Sequence, residues 1–422
     1  MIDPALVDRE VHGRAATCRA FLATFRGRIT EVADHARTAL ATFEPGSPWR
    51  GAAAIALGDA LSLSGKPAAA AEAYAQALEA AADNGYVALN AGYKLAGTQR
   101  LRGQLHAAAD TCRRHIQLAE RIGMAESALA GCLYALYGDL LAEWERLPEA
   151  LDLTARAMEC SDQGRHIGLS GWIVLYRARC LLLAGDRAAA QATIDGLDFN
   201  RLPPWIASPL TAIRALILLA DGNIAAAEAL MAGRSPIPAG DGELLVQVRL
   251  LARRGDHTAA LEMLDRAAER CRASGLNGML VVVALSRCTL LHQLGRRDEA
   301  VAALREALVA GMPGGFRRSF RDAGPAVASG LEAATTPELQ SYVNEIKARS
   351  GEFQMPAGET LLSEREREVL ELIAAGLKNR EIAERLLISL NTVLYHSKHL
   401  YGKLGASSRT QVLQAARARG IL

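Results

Sequence analysis

The sequence has few of the residues that build sheets, membrane spans or covalent cross-links. Aromatic residues make up 5% of the 422 positions, and β-branched runs such as Met279–Val283 are rare and short. No apolar stretch reaches the roughly 20 residues that a membrane-spanning helix requires. Even the apolar stretch Ala212–Ala220 is interrupted by Arg214. We therefore expect a protein that does not cross a membrane.

Targeting and metal-binding signals are also missing. The chain starts at Met1–Pro4 with neither a basic segment nor an apolar core of signal-peptide length. Its seven cysteines are scattered and form no C-x-x-C pair, which predicts reduced thiols rather than disulfides or a metal site. These absences favour a cytoplasmic protein that carries no cofactor.

Alanine and other good helix formers are abundant instead, and this composition predicts an all-α protein. Charge is distributed unevenly along the chain. Leu361–Leu422 carries ten Lys or Arg against six Asp or Glu, a net charge of +4, which leaves −2 for the preceding 360 residues of a chain with net charge +2. The basic excess lies where a polyanion would bind.

A pattern recurs through residues 1–312. A turn residue is followed five positions later by alanine, and successive turn residues are 33 to 42 positions apart. A small residue usually stands seven positions before each turn. The pairs of turn residue and alanine are Gly65/Ala70, Gly103/Ala108, Glu145/Ala150, Gly185/Ala190, Gly222/Ala227, Gly255/Ala260 and Gly295/Ala300, and Gly27/Val32 is a weaker first copy.

Each copy predicts a helical hairpin, in which the small residues let the two helices approach closely. One hairpin cannot bury its apolar stripe alone, so neighbouring hairpins must stack into a superhelix with a concave face. The repeats resemble tetratricopeptide repeats with a loosened period, and an irregular α-solenoid of another type is the alternative.

Four short helices with a tight second-to-third turn are predicted in Leu361–Leu422, which indicates a helix-turn-helix domain. Capping residues start these helices and a glycine ends the first. These residues are Ser363, Gly376, Asn379, Ser389 and Ser408. The third helix is expected to run to about Leu404, and the last helix spans Arg409–Arg419.

Winding the third helix at 100° per residue separates a buried face from an outer face. The buried face contains Val393, Ser397, Leu400 and Leu404, and the outer face contains Asn391, Tyr395, Lys398 and Gly402. A DNA major groove would contact the outer face, and phosphates would bind around its rim. The predicted DNA contacts are Lys378, Asn379, Ser389, Asn391, Thr392, Leu394, Tyr395, Lys398, His399, Lys403 and Arg409.

Four segments of this region resemble the LuxR-type helix-turn-helix pattern: Leu362–Leu370, Asn379–Ala383, Thr392–Val393 and Leu400–Gly405. The resemblance implies binding to double-stranded DNA and dimerisation through the last helix, residues 409–419. One position departs from the family pattern, which usually has a basic residue where this chain has Leu394. A DNA contact is therefore missing or replaced by an apolar one, and Leu394 could instead pack at the domain edge.

The repeats, the segment Gly315–Pro325 and the LuxR-type domain together resemble the C-terminal half of large MalT-like regulators. That resemblance implies inducer sensing by the superhelix and an ATPase module ahead of it. No phosphate-binding loop is present here, because Gly58…Gly65-Lys66-Pro67 has the wrong glycine spacing and a proline where Ser or Thr should bind magnesium. We expect either a fragment or a naturally shortened regulator.

The expected organisation is a superhelix over residues 1–312, a connector with a short helix over 313–360, and the DNA-binding domain over 361–422. The expected function is transcription regulation, with a ligand or protein partner sensed at first-helix aromatics. These are Tyr134, Tyr137, Trp172 and Tyr176, for which ordinary packing between repeats is the alternative. The competing function is a protein-binding scaffold whose terminal domain no longer binds DNA. Dispersed histidines and the lack of a nucleophile motif argue against an enzyme.

Overall fold

The computed structural model describes residues 4–81, 83–162, 167–232, 241–350, 364–386, 388–404, 406, 408–418 and 422. Within these ranges it contains 23 α-helices, three 3₁₀ turns and no strand, which confirms the predicted all-α fold. The chain divides into two compact units, Met1–Asn344 and Glu345–Leu422. In the described ranges, every helix is too short or too polar to cross a bilayer.

Sixteen helices of the first unit pair into eight hairpins. In chain order they are α1 (Pro4–Phe25) with α2 (Ile29–Thr42), α3 (Arg50–Leu63) with α4 (Pro67–Ala80), α5 (Gly85–Leu101) with α6 (Leu105–Arg121), α7 (Ala128–Glu143) with α8 (Leu147–Asp162), α9 (Ile167–Leu183) with α10 (Arg187–Asp195), α11 (Pro204–Ala220) with α12 (Ile224–Met231), α13 (Asp241–Arg253) with α14 (His257–Ser274), and α15 (Asn277–Gln293) with α16 (Arg297–Gly311).

The predicted turn residues adopt positive φ in all eight hairpins. Seven are glycine, which reaches this conformation without steric cost. The eighth, Glu145 (φ 63°), is the non-glycine residue with positive φ in the described part of the chain. The residues five positions after the turns are at most 4% exposed. Close helix contact explains the small residues upstream, since a Cβ added to Gly58 would lie 2.4 Å from the ring of Tyr74.

The first helices of hairpins three to eight form a closed ring. Each of α5, α7, α9, α11, α13 and α15 contacts the next, and α15 also contacts α5. The final contact is tight, because a Cβ on Gly278 would lie 2.5 Å from the carbonyl oxygen of Arg100. The array therefore returns on itself instead of continuing as an open spiral.

A segment after the last hairpin reinforces this closure. It comprises a 3₁₀ turn (Met312–Gly314) and α17 (Arg318–Asp322), followed by α18 (Pro325–Ala334). Glu143 accepts hydrogen bonds from the backbone N–H of Arg317 (3.1 Å) and from the backbone N–H (2.9 Å) and hydroxyl (2.8 Å) of Ser319. We call Glu143 with residues 314–319 the latch.

Two further contacts support the latch. The indole Nε1 of Trp144 donates to the carbonyl oxygen of Gly314 at 3.0 Å, and Arg321 pairs with Glu145 at 2.8 Å. Residues 313–344, most of the predicted connector, lie in the same compact unit as the repeats. The short helix expected in the connector is α19 (Gln340–Ser350), which follows a 3₁₀ turn.

The second unit contains α20 (Glu364–Ala374), α21 (Asn379–Leu386), α22 (Leu390–Leu404) and α23 (Arg409–Ala418). Gly376 (φ +90°) ends the first of these helices as predicted. The four helices enclose one apolar core. Its buried members are Val369, Leu370, Ile373, Ile382, Ala383, Val393, Leu400, Val412 and Ala416.

Helix caps in the second unit follow the predictions at two of the positions described. Ser389 and Ser408 accept hydrogen bonds from backbone N–H groups three residues later, at 3.1 and 3.3 Å. Asn379 is instead the first residue of α21, and Lys378 occupies the capping position, where its N–H donates to Glu381. The predicted cap Ser363 lies outside the described residues.

Candidate nucleic-acid interface and repeat-domain cavities

The described members of the predicted buried face of α22 are buried, and the side chain of the fourth member, Leu404, lies outside the described residues. Val393 and Leu400 are fully buried, and Ser397 is 6% exposed. His396 is also buried and contacts the ring of Tyr395 edge to face at 5.5 Å. These side chains attach α22 to the core and so fix which of its residues face outward.

The outer face of α22 carries Asn391, Leu394 and Lys398, all exposed. Leu394 is 45% exposed, which favours the outer face over the alternative of packing at the domain edge. Leu390 lies one turn earlier and is 43% exposed. Tyr395 is half-buried. The exposed face of α22 is therefore centred closer to Leu390 and Leu394 than the predicted outer face. Leu390 is not among the predicted DNA contacts, although its spacing of four from Leu394 places both on one helical face.

The start of α22 is held by a pair of hydroxyls. The Ser389 and Thr392 side-chain oxygens lie 2.8 Å apart, and Ser389 accepts from the backbone N–H of Thr392. Thr392 is only 4% exposed, so the structure does not bring its side chain to the surface. Ser389 is exposed and lies beside Asn391 at the entrance to the outer face.

Charged residues around this face differ in their freedom. Lys378 is exposed and Asn379 is half-buried. Arg409 is tied to the domain itself, because its Nη2 donates to the carbonyl oxygens of Ile373 (2.8 Å) and Leu377 (2.7 Å). It thereby joins the last helix to the end of the first. The side chains of His399, Gly402 and Lys403 lie outside the described residues.

In the repeat unit, the helical ring surrounds a cavity of about 720 Å³, which we call the central cavity. Each ring helix contributes to its wall, and so does α17. A second cavity of about 280 Å³, the aromatic pocket, adjoins it through Arg100, Leu101, Arg179, Ile213 and Gly242, which line both.

Two of the four predicted sensing aromatics line the aromatic pocket. Trp172 stacks on Tyr176 at 6.1 Å between centroids and on Trp205 at 6.3 Å. Tyr134 does not line it, being buried beneath the guanidinium of Arg156, 4.3 Å from the ring centroid. Tyr137 is half-buried and does not line it either. The predicted set is therefore split between two places.

An ion triad lies at the junction of the two cavities. Asp139 accepts from Arg100 at 2.6 Å and from Arg179 at 2.8 Å, although it is only 4% exposed. Burial alone would raise the pKa of Asp139, but the two guanidiniums outweigh burial and hold it below its ordinary value. The triad thus stays charged and joins α5, α7 and α9.

Among the residues described, no three or more His, Cys, Asp or Glu side chains form a cluster that could hold a metal ion.

Comparison with known families agrees with both units. Residues 13–337 match the family model of the MalT-like TPR region, and residues 360–416 match that of bacterial regulatory proteins of the luxR family. The HTH-type transcriptional regulator MalT of Klebsiella pneumoniae is 28% identical over 359 residues, covering 75% of this chain and 39% of that protein. MalT of Cronobacter sakazakii is 26% identical over 360 residues, with the same coverage.

The chain thus spans about two fifths (39%) of the length of these relatives. Among solved structures, a tetratricopeptide repeat protein from Parabacteroides merdae is 14% identical, with a TM-score of 0.37, and covers 64% of this chain and 98% of its own. The family match spans most of the repeat unit and the luxR match spans the four-helix unit. This chain belongs to the family defined by the MalT-like TPR region and carries a luxR-family helix-turn-helix domain.

Proposed function

We propose that this chain acts in transcription regulation, with α22 lying in the DNA major groove and the repeat unit sensing a small-molecule or protein effector. The observation that carries the proposal is the outer face of α22, which presents Asn391, Leu394 and Lys398 on a helix held by Val393 and Leu400. The luxR-family match over residues 360–416 supports the same role. We further propose the functional division into residues 1–312, 313–360 and 361–422, with dimerisation through 409–419.

The chemistry of this face suggests a mode of base reading. Lys398 reaches guanine acceptors or a phosphate, and Asn391 suits adenine. Leu390 and Leu394 form an apolar pair one turn apart, which favours contact with thymine methyl groups. Ser389 at the start of α22, and Lys378 and Asn379 at the start of α21, are the proposed phosphate contacts. Tyr395, His399 and Lys403 complete the proposed contacts. Thr392 is only 4% exposed and Arg409 donates to two backbone carbonyls of the domain, which argues against a DNA contact at either side chain.

The test is selection of binding sites from random duplex DNA at near-physiological salt, followed by affinity measurements on the selected sequence. Lys398→Ala should weaken specific binding by about 1–3 kcal/mol if Lys398 reads a base. Lys66→Ala is the matched control, because Lys66 is an exposed lysine of the repeat unit. Equal affinity of Lys398→Ala and Lys66→Ala for every duplex would remove Lys398 from the interface.

A gain-of-contact variant tests the orientation of α22 independently. Leu394→Lys introduces the basic residue usual in the family, on a side chain that is 45% exposed. A new phosphate contact should steepen the slope of log affinity against log salt by about 0.9. An unchanged slope would show that position 394 does not face DNA.

The second candidate is a protein-binding scaffold, which the exposed pair Leu390 and Leu394 favours, since DNA-reading faces are usually polar. Failure of both the intact chain and the isolated domain to enrich any DNA sequence would select this role.

A further inference from the structure

Arginine outnumbers acidic residues in the wall of the central cavity. Five arginines and three acidic residues line it. All three acids have partners within the wall or the latch. Asp139 binds two guanidiniums, Asp322 pairs with Arg318 at 2.6 Å, and Glu143 accepts the latch hydrogen bonds. In the described part of the chain, Arg249 and Arg253 are the lining arginines that have no ion pair.

These two arginines lie one turn apart on α13, so their side chains share one helical face. Arg253 donates a long hydrogen bond, 3.4 Å, to the carbonyl oxygen of Leu219. Both side chains are exposed, and partial desolvation together with the neighbouring charge of Arg253 lowers the pKa of Arg249. Two like charges on one helical face without a counter-charge repel each other, and a bound anion would relieve that repulsion.

The rest of the cavity wall is largely apolar. Half-buried aliphatic side chains from three other ring helices and from α13 itself face it: Leu182, Leu216, Leu245 and Val282. A volume of about 720 Å³ lies within the range of about 300–1,000 Å³ typical of small-molecule sites. An inorganic anion would leave most of this apolar surface in contact with water.

We propose that the central cavity binds a small amphipathic anion, with its acidic group on Arg249 and Arg253 and its apolar body on the aliphatic wall. A carboxylic acid with an aliphatic or aromatic body fits this description, because guanidinium groups bind carboxylates in bidentate geometry. This inference rests on the proposed sensing role and names the chemical class of its effector.

The test uses a pair of fluorescent probes that differ in one charged group. The probe 8-anilinonaphthalene-1-sulfonate is an amphipathic anion, and N-phenyl-1-naphthylamine has the same apolar body without the sulfonate. Each is titrated into the intact chain and into Arg249→Gln, Arg253→Gln and Arg254→Gln variants. Arg254 is the matched control, because it follows α13 directly, pairs with Glu228 at 2.8 Å and does not line the cavity.

The intact chain should bind the anionic probe at one saturable site. Arg249→Gln and Arg253→Gln should each weaken that binding by about tenfold or more. Binding of the neutral probe and the melting temperature should not change, and Arg254→Gln should behave as the wild type. Decanoate should displace the anionic probe, whereas decanol should not.

Three results would overturn the proposal: no saturable anionic site, wild-type affinity in Arg249→Gln, or an equal loss for the neutral probe. The assay contains no DNA, so its outcome is separable from the regulatory role. A chain that binds the anion through these arginines but selects no DNA would keep the site and refute the regulator. A chain that selects DNA but gives any of the three overturning results would keep the regulatory role and refute the anion site.

Discussion

Removing the latch carboxylate should open the ring locally before the protein unfolds. Glu143→Ala deprives three donors of their acceptor: the backbone N–H of Arg317 and the N–H and hydroxyl of Ser319. Glu143, Arg317 and Ser319 are half-buried, so we assign each lost hydrogen bond the lower end of the penalty, about 1 kcal/mol. The sum, about 3 kcal/mol, corresponds to about 100-fold faster exchange of these amides when closing is fast.

Hydrogen–deuterium exchange of peptides covering residues 314–322 measures this opening directly. Glu149→Ala is the control, because Glu149 pairs with Arg146 on the exposed surface of the adjoining helix. Unchanged exchange at residues 317–319 in Glu143→Ala, or the same acceleration in Glu149→Ala, would refute the assignment of the latch.

The latch should also respond to pH in a defined direction. Burial raises the pKa of Glu143, and the hydrogen bonds from Ser319 only partly offset this effect. The folded protein therefore holds the proton more tightly than the unfolded chain, so the latch loses stability as the pH rises through the raised pKa. Glu143→Gln keeps a hydrogen-bond acceptor and has no charge to bury. In this variant, the exchange rates at the latch should show no pH dependence beyond the intrinsic pH dependence of amide exchange.

Three further experiments test other parts of the structure. Asp139→Asn should destabilise the repeat unit at pH 7 and flatten its loss of stability below about pH 4, because the wild-type carboxyl has a depressed pKa and its contribution disappears as the pH falls through that value. Gly65→Ala should lower the free energy of unfolding by about 1 kcal/mol through its positive φ, whereas Gly97→Ala should raise it by about 0.5–1 kcal/mol, since an added Cβ meets nothing at either position. Arg409→Ala should lower the melting temperature of the four-helix unit, because Arg409 donates to two backbone carbonyls, and Arg417→Ala should not. An unchanged melting temperature in Arg409→Ala would favour a role for Arg409 in DNA binding alone. Denaturant or thermal melts followed by circular dichroism measure all three.

The hairpins could be predicted from the sequence because their determinants are local. A turn residue with left-handed backbone conformation is usually glycine, because other residues adopt a positive φ only with strain. Close crossing of the two helices requires a small residue, here alanine, five positions later. Gly65 and Ala70 satisfy both rules in the sequence, and in the structure Gly65 has a positive φ and Ala70 is fully buried. The buried face of α22 was predicted equally well, since helical geometry alone places Val393 and Leu400 together.

Ring closure could not be predicted in the same way. It depends on small rotations accumulated over six hairpins, and its contacts join residues about 170 positions apart, as Trp144 and Gly314 do. Arg249 and Arg253 read in the sequence as two ordinary surface charges, and only closure places them around a cavity. The anchoring of Arg409 was missed for a similar reason, because its partners are backbone carbonyls of another helix.

Closure also removes a freedom that open repeat arrays possess. An open array has only nearest-neighbour interfaces, so units can be gained or lost at little cost to the others. Here the contact of α15 with α5 can form only with a fixed number of hairpins between them. Deleting one hairpin from this set would break a distant interface as well as two adjacent ones, and the six should melt as a single cooperative block. The hairpins α1–α2 and α3–α4 precede the ring, so natural variants could gain or lose a hairpin there without breaking the contact of α15 with α5.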